Sequence, residues 1–309
     1  MDLDGILLIN KEVGRTSFET VRLVKKRIGA HKAGHAGTLD KSASGLLIVC
    51  VDRATAIQNL LMGHIKKYRG TIRFGIETDT LDRYGQVVRS GSPGHYSDDE
   101  IRAVLDDFRG SIEQVPPIYS ALHRNGKRLY RRVLGGEIPE VQPRTVEIRE
   151  ISLVRNNGSE VGIEVVASRG TYVRSLARDI ASSLGTCGYL AELRRVGIGS
   201  FSINGAVVAD EVDESTPLVS MLEALNDIPQ IEVGEHRVSP ILNGAPAGKV
   251  LKELDLKLPQ SEHLCLIHGT RLLAIVRLNP KPGYFKVFGD SDDTAVGKGL
   301  ERKTSQRGF

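Results

Sequence analysis

The stretch from Val146 to Ala167 constrains this chain more than any other. Val146–Val154 and Val161–Ala167 are two runs rich in β-branched residues, and Asn156-Asn157-Gly158 lies between them. A turn of this composition supplies the left-handed backbone that joins adjacent antiparallel strands. Lys67–Ile76 alternates as a strand, with Tyr68 near its start and Ile72, Phe74 and Ile76 on the same face. Helical patterns are interspersed with these strands. The expected class is therefore α+β, with a mixed, mainly antiparallel central sheet flanked by helices, not a doubly wound parallel sheet.

The helices carry their own start and stop signals. Thr16 and Glu19 have capping-box spacing ahead of Phe18, Val21, Val24 and Ile28. Ser97 and Glu100 repeat the pattern before Ile101, Val104, Leu105 and Phe108. A further helix is expected from about Arg53 to Met62, and an amphipathic one over Tyr172–Leu184, closed by Gly185. Ile6–Ile9 and Leu46–Val51 read as buried strands. The basic stretch Arg124–Arg132, after the breaker Pro116-Pro117, is expected as a loop running into a short helix. Around Glu211–Pro229 the composition turns acidic and helical, and short strand-like pieces follow. Two domains are expected, 1–229 and a small β-rich one over 230–309.

Charge is distributed unevenly. The net excess is +4, yet residues 11–53 hold nine Lys/Arg against four Asp/Glu, residues 124–144 six against two, and residues 169–195 five against two. Positive charge gathered in three segments of an otherwise acidic chain suits a polyanion-binding face, although solvated helices also carry such residues. No apolar run approaches the ~18 residues of a membrane helix. The acidic start Met1-Asp2-Leu3-Asp4 is unlike a secretory leader, so a cytoplasmic location is expected. Cys50, Cys187 and Cys265 are odd in number and far apart, which argues against a disulfide framework or a cysteine zinc site.

Gly34-His35-Ala36-Gly37-Thr38-Leu39-Asp40 is glycine-rich but lacks the Gly-Lys-Ser/Thr ending of a phosphate loop. Its notable element is a carboxylate, Asp40, on a tight turn before a buried strand. That position fits either a turn cap or an acid presented at a cleft. Tyr68, Arg174 and Leu193 each fit an ordinary structural place. Asp79 and Asp82 fit a solvated turn.

In order along the chain these segments form a pattern. Leu7-Leu8-Ile9-Asn10-Lys11 through Thr16-Ser17, then Gly34–Asp40, Lys67-Tyr68-Arg69, Thr78-Asp79-Thr80-Leu81-Asp82, Gln114–Leu122, Gly126-Lys127-Arg128-Leu129-Tyr130, Ser168–Leu176 and Leu193-Arg194-Arg195 together resemble the TruB-type tRNA pseudouridine-55 synthases. The matches span roughly residues 5–200, and the tail from about 230 resembles the PUA RNA-binding domain. The resemblance implies the pseudouridine synthase fold and a stand-alone, cofactor- and metal-free isomerase. Its expected partner is the T-loop of tRNA, with neither a guide RNA nor an obligate protein partner. It makes Asp40, Tyr68 and Arg174 catalytic: Asp40 the reacting carboxylate, Arg174 its ion-pair partner, and Tyr68 the residue stacked on the base near carbon 5. Tyr172 and Leu193 would line the base pocket, with Asp82 in a matching substrate-side motif. His35 would enter the RNA loop in place of the extruded nucleotide. Lys11 would meet phosphate, as would Lys127, Arg128 and Arg131 in a basic insertion over about 114–144.

Lys41 stands where the family's proline follows the aspartate. Ser42, Ser44, Glu12 and His123 also depart from the pattern. Without proline the turn is freer, so a looser loop is expected. Two rival readings remain from the residues: an RNA-binding or RNA-folding protein without chemistry, and a hydrolase of N-glycosidic bonds. The first needs none of Asp40, Tyr68 and Arg174; the second needs a water-activating second carboxylate.

Overall fold

The computed structural model describes residues 3–119, 141–254 and 259–289, together with the backbone of residues 123–124 and 127–128. The described chain forms two compact units, Met1–Ser220 and Met221–Phe309. The division lies ahead of the expected 229/230 boundary. The short helix Met221–Ala224 packs on a strand of the second unit, and Ala224 and Leu225 are fully buried.

The first unit is organised by one mixed sheet. Its principal strands are β1 (Gly5–Lys11), β2 (Ala33–His35), β3 (Ser44–Val51), β4 (Lys66–Phe74), β5 (Gly110–Gln114), β6 (Arg144–Asn156), β7 (Glu160–Ala167) and β8 (Gly188–Ile198). The order across the sheet is β1-β3-β8-β4-β7-β6-β5, with β2 also on β3 and short strands at the β1 edge. β6 and β7 pair antiparallel around the expected turn, where Gly158 has φ 77°. The last of these principal strands in sequence, β8, lies in the middle. It runs parallel to β3 at Arg194↔Ser44 and Arg195↔Gly45, and antiparallel to β4 along most of its length.

Helices α1 (Ser17–Ile28), α2 (Asp98–Asp107) and α3 (Val173–Ser183) flank the sheet. Both capping boxes form, at Thr16/Glu19 and Ser97/Glu100, each satisfying helix-end amides for about 1 kcal/mol. Val21, Val24 and Ile28 of α1 pack on Leu7, Ile9, Leu47 and Val49. Phe18 does not join them and is 74% exposed. Ser17 takes the inward place in the first turn, because its hydroxyl is bonded to Leu39. Ile101 and Leu105 of α2 and Leu176, Ala177 and Ile180 of α3 close over Ile72, Phe74, Ile148, Ile151 and Ile163.

Two local expectations change. The helix expected from Arg53 to Met62 is a 3-10 turn, Asp52–Ile57, followed by the short helix Gln58–Met62. Asp52 has φ 46°, and the Thr55 hydroxyl bonds its carbonyl, which favours the tighter winding. β4 ends at Phe74, not Ile76, because Gly75 turns at φ 84°. Ile76–Thr78 instead pairs with Val87–Ser90 in a separate ribbon.

In the second unit Gln230–Glu232, His263–His268, Arg271–Arg277 and Gly283–Val287 form a four-stranded sheet, in that order. Its core holds Val233, Ile241, Val250, Leu251, Leu264, Leu266, Leu273 and Val276. Between Glu211 and Pro229 the one helix among the described residues is Met221–Ala224, shorter than the composition suggested.

Candidate active site

The loop leading to Asp40 has no regular structure of its own and is held from three sides. Ser17 Oγ donates to the Leu39 carbonyl at 3.0 Å and accepts from the Leu39 amide at 2.8 Å. The Gly14 amide donates to the Lys41 carbonyl at 2.8 Å, and the Ala43 amide to the Asp40 carbonyl at 3.1 Å. From β8, the Arg195 guanidinium donates to the carbonyls of Gly37 (3.0 Å), Thr38 (3.2 Å) and Leu46 (2.7 Å). The bend at Gly37 has φ 102°, a conformation that disfavours any residue with a side chain. The turn after Asp40, expected to be loose without proline, is fastened: the Ser42 hydroxyl donates to Asp82 Oδ2 at 2.8 Å.

Asp40 is paired with Arg174. Arg174 Nε lies 2.8 Å from Asp40 Oδ2, an ion pair whose N–H is not aligned as a hydrogen bond. Arg174 sits in the first turn of α3 and is 5% exposed, whereas the Asp40 side chain is 39% exposed. The rest of the guanidinium is bound as well: Nη1 donates to the Thr80 carbonyl at 2.8 Å and Nη2 to the Tyr119 carbonyl at 3.1 Å. Three separate segments thus fix one cation, and that cation holds a half-exposed carboxylate.

The carboxylate faces a cleft of about 510 Å³. Tyr68, Tyr172, Leu193, Met62 and Val173 supply its apolar surface; Lys66, Arg144, Arg169, Arg174 and Arg195 supply positive charge. Among the described residues lining it, Asp40 is the one acid. Tyr68 is almost buried on β4, directly opposite Arg195 of the neighbouring strand in register. Tyr172 caps α3, its amide donating to Gln114 Oε1 at 2.8 Å. The volume suits a flat base and its sugar, with aromatic and leucine contacts for the base and cations for phosphate.

Two lysines reinforce the field around the carboxylate. Burial pushes the Lys11 ammonium down to about 8, against the pull of Asp40 and with the help of Arg195 and Arg15. Burial, Arg195 and Arg169 likewise bring Lys66 down to about 8. His35, on β2, is lowered by its burial and then by Arg195, which favours the neutral imidazole. Among the described residues no group of three or more His, Cys, Asp or Glu is placed to hold a metal.

Asp40, Tyr68, Arg174, Tyr172 and Leu193 therefore meet at one cleft, as the resemblance implied. His35 lies on the strand before the loop, half-buried, and is not among the residues that line the cleft. Two assignments are corrected. Lys11 is 1% exposed, and its Nζ donates to the carbonyls of Glu12 (2.9 Å) and Arg15 (2.8 Å); it braces a loop and does not reach out to phosphate. Asp82 is 8% exposed and occupied by Ser42, by the Thr80 hydroxyl at 2.7 Å and by the Tyr84 amide at 3.0 Å. It ties the turn after Asp40 to the Thr80 segment that holds Arg174, and its oxygens are taken up by these contacts.

Lys127 and Arg128 pair as backbone with His123–Arg124 in a two-stranded ribbon; their side chains, Arg131 and the expected short helix lie outside the described residues. Sequence reasoning missed Arg195. It is 1% exposed on a strand, and its signal was its place two residues after Leu193 at the end of the last shared motif.

A mixed sheet with helices against it, and one aspartate paired to an arginine over a cleft of nucleoside size, define a protein of the pseudouridine synthase fold. The fold agrees with that in the crystal structure of a Cbf5-Nop10-Gar1 complex, at a TM-score of 0.68 and 22% identity, covering 92% of this chain and 85% of that one. In sequence, residues 25–173 match the TruB family pseudouridylate synthase N-terminal domain. The chain is 39% identical to tRNA pseudouridine synthase B of Caldanaerobacter subterraneus subsp. tengcongensis over 79% of this chain and 86% of that one. It is 44% identical to the Bordetella avium protein of the same name, over 74% and 94%. The chain belongs to the TruB family of pseudouridylate synthases.

Proposed function

We propose that this protein converts uridine to pseudouridine in tRNA, at position 55 of the T-loop, acting alone without a guide RNA or an obligate protein partner. The observation that carries the reading is the Asp40–Arg174 pair, 2.8 Å apart at the mouth of a cationic, aromatic-lined cleft, in a chain whose relatives are tRNA pseudouridine synthases B.

The target nucleotide must leave its stack to reach Asp40, at a cost of a few kcal/mol. Tyr68, Tyr172 and Leu193 then receive the base, and the cleft's arginines take the flanking phosphates. Asp40, anionic and fixed by Arg174, acts on the sugar as nucleophile at C1′ or as base at C2′. Either way the N1–C1′ bond breaks, the base turns and a C5–C1′ bond forms. C5 loses a proton and N1 gains one, so substrate and product are isomers and no redox partner is required. In this reading Tyr68 stands beside the base, and the Arg195 cation opposite it in register favours negative charge there while the C5 proton departs.

The second unit, with its own sheet and core, serves in this reading as a PUA-like RNA-binding domain. Three free, buried cysteines suit the cytoplasmic setting we assign to it. A protein that only binds or refolds RNA would have no use for a fixed carboxylate beside a buried tyrosine. The decisive experiment incubates purified protein alone with an unmodified T-stem-loop hairpin and maps pseudouridine. A single modified position at 55 is expected; no product, or free uracil, would overturn the reading.

A further inference from the structure

A second hollow, of about 500 Å³, lies next to the active cleft, with Leu193 lining both. The Asp40–Ala43 turn separates them: Asp40 lines the cleft, and Ser42 lines the second groove. Side chains alternate along β4 and β8, so Arg69 and Arg194 point away from the face of Tyr68 and Arg195. Register places Arg69 directly opposite Arg194, which in turn is opposite Ser44. A second row runs from Arg155 through Gly162 and Thr71 to Glu192. Gly162 has no side chain, and Arg155 lies across it, its Nε 3.9 Å from where a Cβ would stand.

Among the described residues, four arginines, Arg69, Arg83, Arg155 and Arg194, line this groove with a single acid, Glu192. Arg69 is neutralised by Glu164 at 2.6 Å and Arg83 by Glu192 at 3.1 Å. Arg155 and Arg194 are exposed and make no ion pair among the described residues. Like charges directly opposite one another on neighbouring strands destabilise a sheet; Glu164 relieves Arg69, which leaves Arg194 as the uncompensated charge of that row. From β6 to β8 is three strand spacings, roughly 14 Å. That span is too wide for one carboxylate or phosphate and suits consecutive phosphates of a chain. Beside Arg83 stands Tyr84, 59% exposed, an aromatic surface of the kind on which bases stack.

We propose that this groove is a second RNA contact, holding phosphodiester backbone of the substrate tRNA outside the T-stem-loop, with Arg155 and Arg194 as its phosphate ligands. The proposal rests on the reading of the cleft as an RNA-modifying site, and the test separates the two. Wild type and the double variant Arg155→Ala/Arg194→Ala are compared on a full-length unmodified tRNA transcript and on a T-stem-loop hairpin, across about 50–200 mM salt. Expected is an affinity for full-length tRNA lower by about tenfold and a salt slope smaller by about 1–2. On the hairpin, kcat and KM stay within about twofold of wild type. Arg155→Lys/Arg194→Lys, which keeps the charge, restores the slope. Equal weakening on both RNAs, or an unchanged slope, overturns the proposal. Unchanged tRNA affinity with lost binding of polyglutamate would assign the groove to an acidic peptide and overturn it too. Absence of pseudouridine from wild-type reactions would strike the function proposed for the cleft, while the salt slopes report on the groove alone.

Discussion

The Ser17 hydroxyl makes two hydrogen bonds to one residue, Leu39, donating to its carbonyl and accepting from its amide. The first residue of α1 is thereby locked to the residue before Asp40. Ser17→Ala leaves the buried Leu39 amide without its partner and its carbonyl with only the 3.5 Å bond from the Thr38 hydroxyl, which costs about 1–3 kcal/mol. We expect a lower urea midpoint with unchanged slope. We also expect kcat reduced about tenfold at constant KM, because the carboxylate is misplaced and the cleft is not. Ser17→Thr, which retains the hydroxyl, should recover part of both losses.

Asp40→Asn removes the charge and keeps the shape. The variant should bind unmodified tRNA about as well as wild type and form no detectable pseudouridine in single-turnover assays. Appreciable turnover by this variant would remove Asp40 from the chemistry.

Arg174→Met should fail differently. It frees Asp40 and also strands the Thr80 and Tyr119 carbonyls, so the thermal midpoint should fall along with activity. The expected stability loss is roughly 2 kcal/mol, most of it from the two carbonyls, since the half-exposed Asp40 regains water. Rate loss should be about 10²- to 10³-fold. Arg174→Lys restores one charge without the three-way reach and should recover little.

Lys11 and Lys66 each lose their proton at about pH 8 in the folded protein, against 10.5 for an ordinary lysine. Above about pH 8 the site is less positive, so RNA affinity and kcat/KM should decline between pH 7.5 and 9. Lys66→Met should flatten that decline. Stability should move the other way. Between about 8 and 10.5 the unfolded chain binds more protons at these two groups, so their contribution to folding becomes more favourable as pH rises. Parallel pH series of activity and urea midpoint check both signs.

Much of this architecture was legible because it is local. The Thr16/Glu19 and Ser97/Glu100 boxes, the hairpin at Asn157-Gly158 and the alternation through Tyr68 and Ile72 depend on neighbours in sequence, and all are present. Assembly of Asp40, Tyr68 and Arg174 at one place was implied by a collinear set of motifs, not by any one residue. What stayed hidden depends on distant partners. Lys11 and Asp82 read as surface groups, yet packing against other loops consumes their polar atoms. Arg195 read as one of two adjacent cations; only the pairing of β8 with β3 and β4 turns one inward and the other outward. Phe18 looked like core until Ser17 was seen to need the same inward position.

The central strand of the sheet is made after both of the strands it joins. β8 reaches Ile198, and it is this strand that lies between β3 and β4 and sends Arg195 under the glycine loop. A chain still on the ribosome and shorter than this has Asp40 and Tyr68 on separate, unjoined edges. The two halves that carry Asp40 and Tyr68 are therefore joined only after the chain has been made as far as Ile198.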